Sequence, residues 1–283
     1  MDFNSITFLL FLLIVVVIYY NLNQRNRLIL LLISSFIFYS FWNWKYSSLL
    51  IISGLTDYFI SKKIFNSVTK RKKLSYLSVS IFINLGLLIY FKYLFFITSN
   101  VNYFLENIGS VYNFDIIDII LPFGISFYTF ETISYSVDVY RGIIKPEKSF
   151  FKYALFVAFF PKLVAGPIQR ASEFLPQFEK KISFNNENIK IGIKRILIGL
   201  FLKVVFADNI ADLVDQTYNL DFNNLSAIDF VTMGYLFGFQ IYFDFSAYSS
   251  IAIGSAKLLG ISLPENFNFP YSSSNPKEFW KKW

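Results

Sequence analysis

The sequence predicts an all-α protein, a polytopic transmembrane helical bundle with re-entrant or broken helices. Three observations carry this. Of the 283 residues, 55% are hydrophobic and only 16% charged, against roughly 25% charged in soluble domains. The apolar residues gather into successive runs along the whole chain. Lys and Arg sit at the ends of those runs, the pattern of the positive-inside rule. No composition shift or internal repeat divides the chain, so residues 1–283 read as one membrane-embedded domain.

Residues 5–20 are almost purely apolar and have no basic residue before them. A signal peptide needs a basic n-region and a small-residue cleavage site, so this run reads as a retained first span. Residues 28–42 form a second, closing on Trp42 and Trp44, and residues 46–60 a shorter third with Asp57 near its end. Next comes the densest charge cluster, Lys62, Lys63, Lys70, Arg71, Lys72 and Lys73, which the positive-inside rule places in the cytoplasm. Counting back puts Arg25 and Arg27 inside as well and the N-terminus outside. Residues 74–91 and 93–104 are two further runs, short against the roughly 20 residues of a full span.

Residues 116–139 are long but interrupted by Pro122, Gly124, Glu131 and Asp138, with Arg141 just beyond. Residues 150–168 are broken by Pro161, Lys162, Gly166 and Pro167. Proline removes a backbone donor and clashes one turn back, and irregular backbone at membrane depth needs protein or water to satisfy it. Residues 159–170 therefore read as re-entrant or buried. Residues 171–190 are polar and amphipathic, with Lys180 and Lys181, and read as a membrane-surface segment. Residues 191–206 form a span, and "ADNIADLVDQTYN" a polar connection. Residues 225–242 form another span, in which Gly234 and Gly238 have the spacing that lets a neighbour helix approach. A final span carries Ala252, Gly254 and Ala256.

The chain has no cysteine and no histidine. That excludes a disulfide framework and a thiol nucleophile, and removes the commonest general base and metal ligand. The net charge of +7 follows from the basic loops. With no basic face and no RNA-binding motif, nucleic acid is not a partner.

Four constellations bear chemistry. Asp244 lies with Tyr242, Ser246 and Tyr248 in a sequence apolar enough for lipid, where a carboxylate is costly. If residues 241–259 are helical, positions 244 and 248 share a face. The group reads either as the wall of an internal cavity or as a carboxylate that holds helices together through hydroxyls. Glu131, Asp138 and Arg141 form a second group, in which Asp138 and Arg141 are spaced to pair on one helix face. Lys162 and Arg170 flank the broken segment and read either as a site for an anionic donor's phosphate or as side chains snorkelling to the interface. The chain closes on Pro270, Tyr271 and the cluster Phe279, Trp280, Trp283. No phosphate loop and no metal-ligand cluster is visible.

The stretches "LPFGISFYTFETISYSVDVYRG", "FPKLVAGPIQR", "IGIKRILIGLFLKVVFADNIAD" and "FDFSAYSSIAIGSAKLLGI…NFNFPY…EFWKKW" together resemble the membrane-bound O-acyltransferase family (MBOAT), nearest its alginate O-acetylase branch. They are more distantly similar to its teichoic-acid D-alanyl transfer branch. The resemblance runs from about Leu121 to Trp283. It implies many transmembrane helices around a central funnel, and an acyl group passed from a cytoplasmic donor, acetyl-CoA, to an exported polysaccharide or cell-wall sugar. It implies an extracytoplasmic acetyl-handling partner protein besides the lipids, the donor and the polysaccharide acceptor, and no bound cofactor. In this family the essential histidine directly follows the Phe-Trp-x-x-Trp pattern, and none is present here. The family pattern also has Gly and Asp where this chain has Ala247 and Ser250. A hydroxyl acceptor needs a base to take its proton, a contribution of about 10²–10⁴-fold. The expectation is an incomplete acyltransferase, inactive alone, whose parent continues with a histidine and further spans. The competing readings are a transporter or channel, and a non-catalytic scaffold for an extracellular transferase.

Overall fold

The computed structural model of the chain describes residues 1–110, 112–115, 119–164, 166–180, 182–220 and 225–283, and among them every regular element is helical. Two helical stretches, Gln24–Asn66 and Lys70–Asn107, are long and apolar enough to cross a membrane; Ile6–Asn21 is apolar and shorter. The residues fall into two compact units. One comprises Met1–Phe38, Phe159–Gln169 and Gln177–Trp283, the other Tyr39–Ala158 and Arg170–Pro176.

In the first unit, helix α1 (Ile6–Asn21) starts at Ser5, whose hydroxyl accepts from the Phe8 amide at 3.1 Å. Phe8, Leu12, Val15 and Tyr19 are buried, while Leu10, Leu13, Ile14 and Val17 are more than half exposed. A helix apolar on its open side as well as its packed side suits lipid rather than water. Helix α2 (Gln24–Asn43) brings Phe38 to Phe3, Phe8 and Phe160, with ring centroids 5.5, 5.9 and 5.9 Å away. Ser35 on α2 donates to the Leu31 carbonyl at 2.7 Å and accepts the Phe160 amide at 3.0 Å. It thus satisfies a backbone donor in the non-helical stretch that follows Ala158. In that stretch Phe159, Phe160 and Lys162 are buried. A Cβ at Gly166 would lie 2.3 Å from Lys162 Cα, so only glycine closes this turn.

Helix α9 (Asn186–Phe201) continues through a π-helical turn, Leu202–Ala207, into α10 (Asp208–Tyr218). The polar connection expected there is helical. Helix α11 (Ala227–Leu258) is one unbroken helix of 32 residues rather than two spans. Nothing inside it stops the hydrogen-bond ladder, and Ser226 with Asp229 forms a capping box at its start. The close helix crossing also lies elsewhere than expected. A Cβ on Gly234 meets nothing within 4 Å, and one on Gly238 meets only the Tyr271 hydroxyl. The seam runs between α9 and α11 at Gly192, Gly199 and Gly254, where an added Cβ would approach a backbone carbonyl oxygen at 2.9, 2.7 and 2.7 Å. Beyond α11, a 3₁₀ turn, Pro270–Ser272, leads to α12 (Pro276–Lys282).

In the second unit, α3 (Ser47–Asn66), α4 (Lys70–Leu88) and α6 (Ile125–Tyr140) pack mutually, and α7 (Phe150–Ala158) lies on α3 and α6. A π-helical turn, Ile89–Tyr93, joins α4 to α5 (Leu94–Asn107) without a break at Lys92. The run expected from residue 116 becomes helical only at Ile125, after Pro122 and Gly124; Ile116 lies outside the described residues. Trp42 packs on Phe123 (4.6 Å) and Tyr46 (5.1 Å), and the Tyr58 hydroxyl donates to the Lys148 carbonyl at 2.6 Å.

The stretch expected as an amphipathic surface segment, residues 171–190, is helical only in short pieces, with Ala171, Phe174, Leu175 and Phe178 buried on one side. Helix α8 (Ala171–Phe174) is a single turn in the second unit. A 3₁₀ turn follows at Leu175–Phe178, and helix resumes only after the Asn185 cap. Pro176 interrupts the ladder, and Phe174 and Phe178 are buried rather than laid on a surface. Lys181 lies outside the described residues.

Candidate functional site

In the first unit, α9, α11 and the loop after α11 enclose a cavity of about 760 Å³. Arg195, Ile198 and Leu202 form one wall, and Tyr242, Ser246, Ser249, Ser250 and Ile253 another. Glu265, Asn266, Phe267 and Phe269 close it from the loop. The wall on α11 is regular because positions 242, 246, 249, 250 and 253 follow the three-to-four residue repeat of one helix face.

Polar contacts hold the loop over both helices. Arg195 on α9 forms an ion pair with Glu265, and Asn266 Nδ2 donates to Ser249 Oγ on α11 at 2.8 Å. The Tyr271 hydroxyl donates to the Gly238 carbonyl at 2.8 Å, and the Asn268 amide donates to the Lys282 carbonyl at 2.8 Å. Aromatic rings fill the space between. Tyr242 meets Phe267 edge-on at 5.6 Å and Tyr271 at 5.4 Å, and Trp283 stacks on Phe279 at 5.5 Å. Phe269 is held at φ 48°, ψ 61°, a left-handed conformation that costs a non-glycine residue about 1–2 kcal/mol. Strain at a cavity rim is an established marker of sites that bind or act. The Ser246 and Ser250 hydroxyls make no hydrogen bond to the described residues. They present donor and acceptor capacity to whatever enters.

Of the residues singled out in the sequence, Tyr242 and Ser246 line the cavity, and Pro270, Tyr271 and Trp283 support its aromatic side. Trp280 is 71% exposed and touches the cluster only edge-on at Phe279, 5.3 Å between ring centroids. Asp244 is absent from the cavity lining. It accepts from Lys203 Nζ at 2.6 Å, and the same ammonium reaches Asp208 at 2.9 Å. Its partner is therefore a cation, where hydroxyls were expected. Tyr248 makes no hydrogen bond to it and stacks on Phe3 at 4.9 Å. A lone lysine in the apolar run "GLFLKVVF" was the signal that could have found this pair, since an intramembrane cation needs a carboxylate.

The other candidates are not among the residues that line this cavity. Lys162 is 3% exposed and Arg170 is exposed, so the snorkelling reading fails for Lys162. In the second unit Glu131 and Asp138 are buried. Arg141 is exposed and does not pair with Asp138, whose Oδ2 has no hydrogen-bond partner; one helical turn is not enough when one residue faces the core and the other solvent. The cavity residues missed in the sequence include Arg195, Glu265, Ser249, Asn266, Phe267 and Phe269, while Ser250, noted there only for departing from the family pattern, proves to line the cavity. None stands out locally, because tertiary contact alone gathers them.

The comparisons with known proteins follow the same residues. The profile of the MBOAT, membrane-bound O-acyltransferase family, matches residues 36–283. The chain is 37% identical over 277 residues to a peptidoglycan O-acetyltransferase of Helicobacter pylori, covering 89% of this chain and 51% of that protein. It is 38% identical over 287 residues to a probable alginate O-acetylase of Pseudomonas aeruginosa, covering 100% of this chain and 54% of that protein. A teichoic acid D-alanyltransferase of Bacillus subtilis is 32% identical over 169 residues, covering 56% of this chain and 41% of that protein. The chain spans about half the length of the first two relatives. With the profile covering most of the sequence and the relatives aligned across the cavity's helices, this chain belongs to the membrane-bound O-acyltransferase family.

Proposed function

We propose that this chain takes part in the acyl transfer of a multi-pass O-acetyltransferase, with its N-terminus outside the cell. The donor is cytoplasmic acetyl-CoA, and the acceptor is a hydroxyl of an exported polysaccharide or cell-wall sugar. The observation that carries this is the family membership, with O-acetyltransferases among the relatives. The cavity supports it. Its volume lies in the usual 300–1,000 Å³ range of small-molecule sites, and its one side is aromatic while the other offers free serine hydroxyls. Tyr242 and Ser246 face the reactants, and Tyr271 and Trp283 pack against Tyr242 from behind.

In the reaction the acceptor oxygen attacks the thioester carbonyl, a C–O bond forms, the C–S bond breaks, and the thiol leaves with a proton. The acceptor proton must pass to a base. No histidine exists in these 283 residues. Of the nearby carboxylates, Asp244 is paired with Lys203 and Glu265 with Arg195. With both carboxylates engaged, no free base faces the cavity, and residues 1–283 alone are expected not to transfer. An extracytoplasmic acetyl-handling protein is a further partner in this reading.

The test is acetyl content of the extracellular polymer in cells lacking the gene, in cells expressing its complete product, and in cells expressing residues 1–283 alone. Acetylation is expected only with the complete product; no difference between the first two strains would remove the assignment. Because the chain has no cysteine, orientation is open to single-cysteine labelling. A cysteine at Asn4 is expected to react with an impermeant maleimide in intact cells, and one at Val68 only after permeabilisation.

A further inference from the structure

The second unit contains a buried carboxylate that the acyl-transfer reading does not use. Asp57 on α3 is 0% exposed. Its Oδ1 accepts from the hydroxyls of Ser80 on α4 and Ser136 on α6, the latter at 3.1 Å. Its Oδ2 accepts from Asn84 Nδ2 at 2.6 Å. Around these lie Ser53, which donates to Asn84 Oδ1 at 2.7 Å, and Thr132, which donates to the same oxygen at 3.2 Å. All six side chains are fully enclosed, drawn from three different helices.

Two features separate this cluster from an ordinary buried polar knot. Every side chain in it carries oxygen, and among the described residues no lysine or arginine pairs with Asp57. Asp244 in the other unit, although half-exposed, has its own lysine; the fully enclosed carboxylate has none. Burying an unpaired carboxylate costs several kcal/mol even after relaxation, so the group must be neutralised, by a cation or by a proton. Carboxylate, hydroxyl and amide oxygens are the ligand types hard cations select. A single carboxylate matches one positive charge, and no cluster of three or more acidic, cysteine or histidine ligands exists among the described residues for a divalent or transition ion.

We propose that the Asp57 cluster is a binding site for one alkali-metal cation, held by Asp57 and the side-chain oxygens of Ser53, Ser80, Asn84, Thr132 and Ser136. The cation ties α3, α4 and α6 together as a basic side chain does in an internal ion pair.

The test uses the 283-residue chain in detergent micelles. Its melting is followed by tryptophan fluorescence in NaCl and in choline chloride at equal ionic strength. Sodium is expected to raise the apparent Tm in a saturating way, by about 3–6 °C at ten times the half-saturating concentration. Asp57→Asn keeps the side chain's size and loses the response. Ser136→Ala is expected to raise the half-saturating concentration about fivefold, the weight of one neutral polar contact; it decides the question if Asp57→Asn does not fold. Equal melting of the wild type in the two salts overturns the proposal, as does a sodium response that survives in Asp57→Asn. Stabilisation by acid without any response to sodium also overturns it and assigns a proton to Asp57 instead.

Discussion

Gly199→Ala tests the helix seam on which the cavity depends. An ideal Cβ at Gly199 lies 2.6 Å from Ile251 Cγ1, 2.7 Å from the Ala247 carbonyl oxygen and 3.0 Å from the Ile251 amide nitrogen. The last two are backbone atoms of α11 and cannot rotate away. Reaching ordinary contact at 3.4 Å requires α9 and α11 to separate by about 0.7 Å. A gap of about 0.5–1 Å forfeits a quarter to a half of each dispersion well it opens, and the seam continues through Gly192, Ile196, Gly254 and Leu258. Overpacking of this kind costs about 1–3 kcal/mol, against a helix-propensity gain of about 1 kcal/mol for replacing glycine. The net expectation is destabilisation by up to about 2 kcal/mol. Gly234→Ala is the internal control: it sits in α11, its Cβ meets nothing within 4 Å, and it should gain up to about 1 kcal/mol. The two variants should then melt about 2–12 °C apart, measured as apparent Tm in micelles at one fixed scan rate because membrane proteins commonly unfold irreversibly. If Gly199→Ala melts at or above Gly234→Ala, α9 and α11 are not in backbone contact, and the cavity wall built on that contact is wrong.

Three further outcomes are expected. Phe269→Gly should raise apparent stability by about 1 kcal/mol, since it releases a left-handed φ of 48° and Phe269 is 75% exposed, with little burial to lose; an unchanged or lower Tm refutes the strain. Lys203→Met leaves Asp208 and Asp244 facing each other without their shared cation. In a double-mutant cycle with Asp244→Asn the coupling should be about 1 kcal/mol, held low because both carboxylates are nearly half exposed, and zero coupling would show that the pair is not formed. The Lys282 ammonium, with the Ser274 amide and hydroxyl, holds the Glu278 carboxyl down at about 2 from its ordinary 4.5. A depressed acid contributes stability above its unfolded value and loses it as pH falls through the folded one. The start of α12 should therefore be pH-insensitive from 8 to 5 and loosen between about 4.5 and 2, read from the fluorescence of Trp280 and Trp283. Glu278→Gln should abolish that acid transition, and a transition persisting in it assigns the loosening to another group.

Much of the architecture was legible along the chain because its causes are local. Apolar runs with few charges specify helices for lipid, and Pro161, Gly166 and Pro167 specify a break, since a missing donor and a turn that excludes Cβ act within a few residues. The absence of histidine and the order of the family's motifs were likewise plain in the sequence. Only the tertiary structure decided which helix faces meet. Gly234 and Gly238 have the spacing of a crossing and are not one, while Gly192, Gly199 and Gly254, without that spacing, are. The partner of Asp244 stands 41 residues away, and the donors around Asp57 stand 23, 27 and 79 residues away. In a uniformly apolar chain, hydropathy does not say which side of a helix turns inward. That choice is made by close packing and by the pairing of the few buried polar groups, and both are properties of the assembled helices.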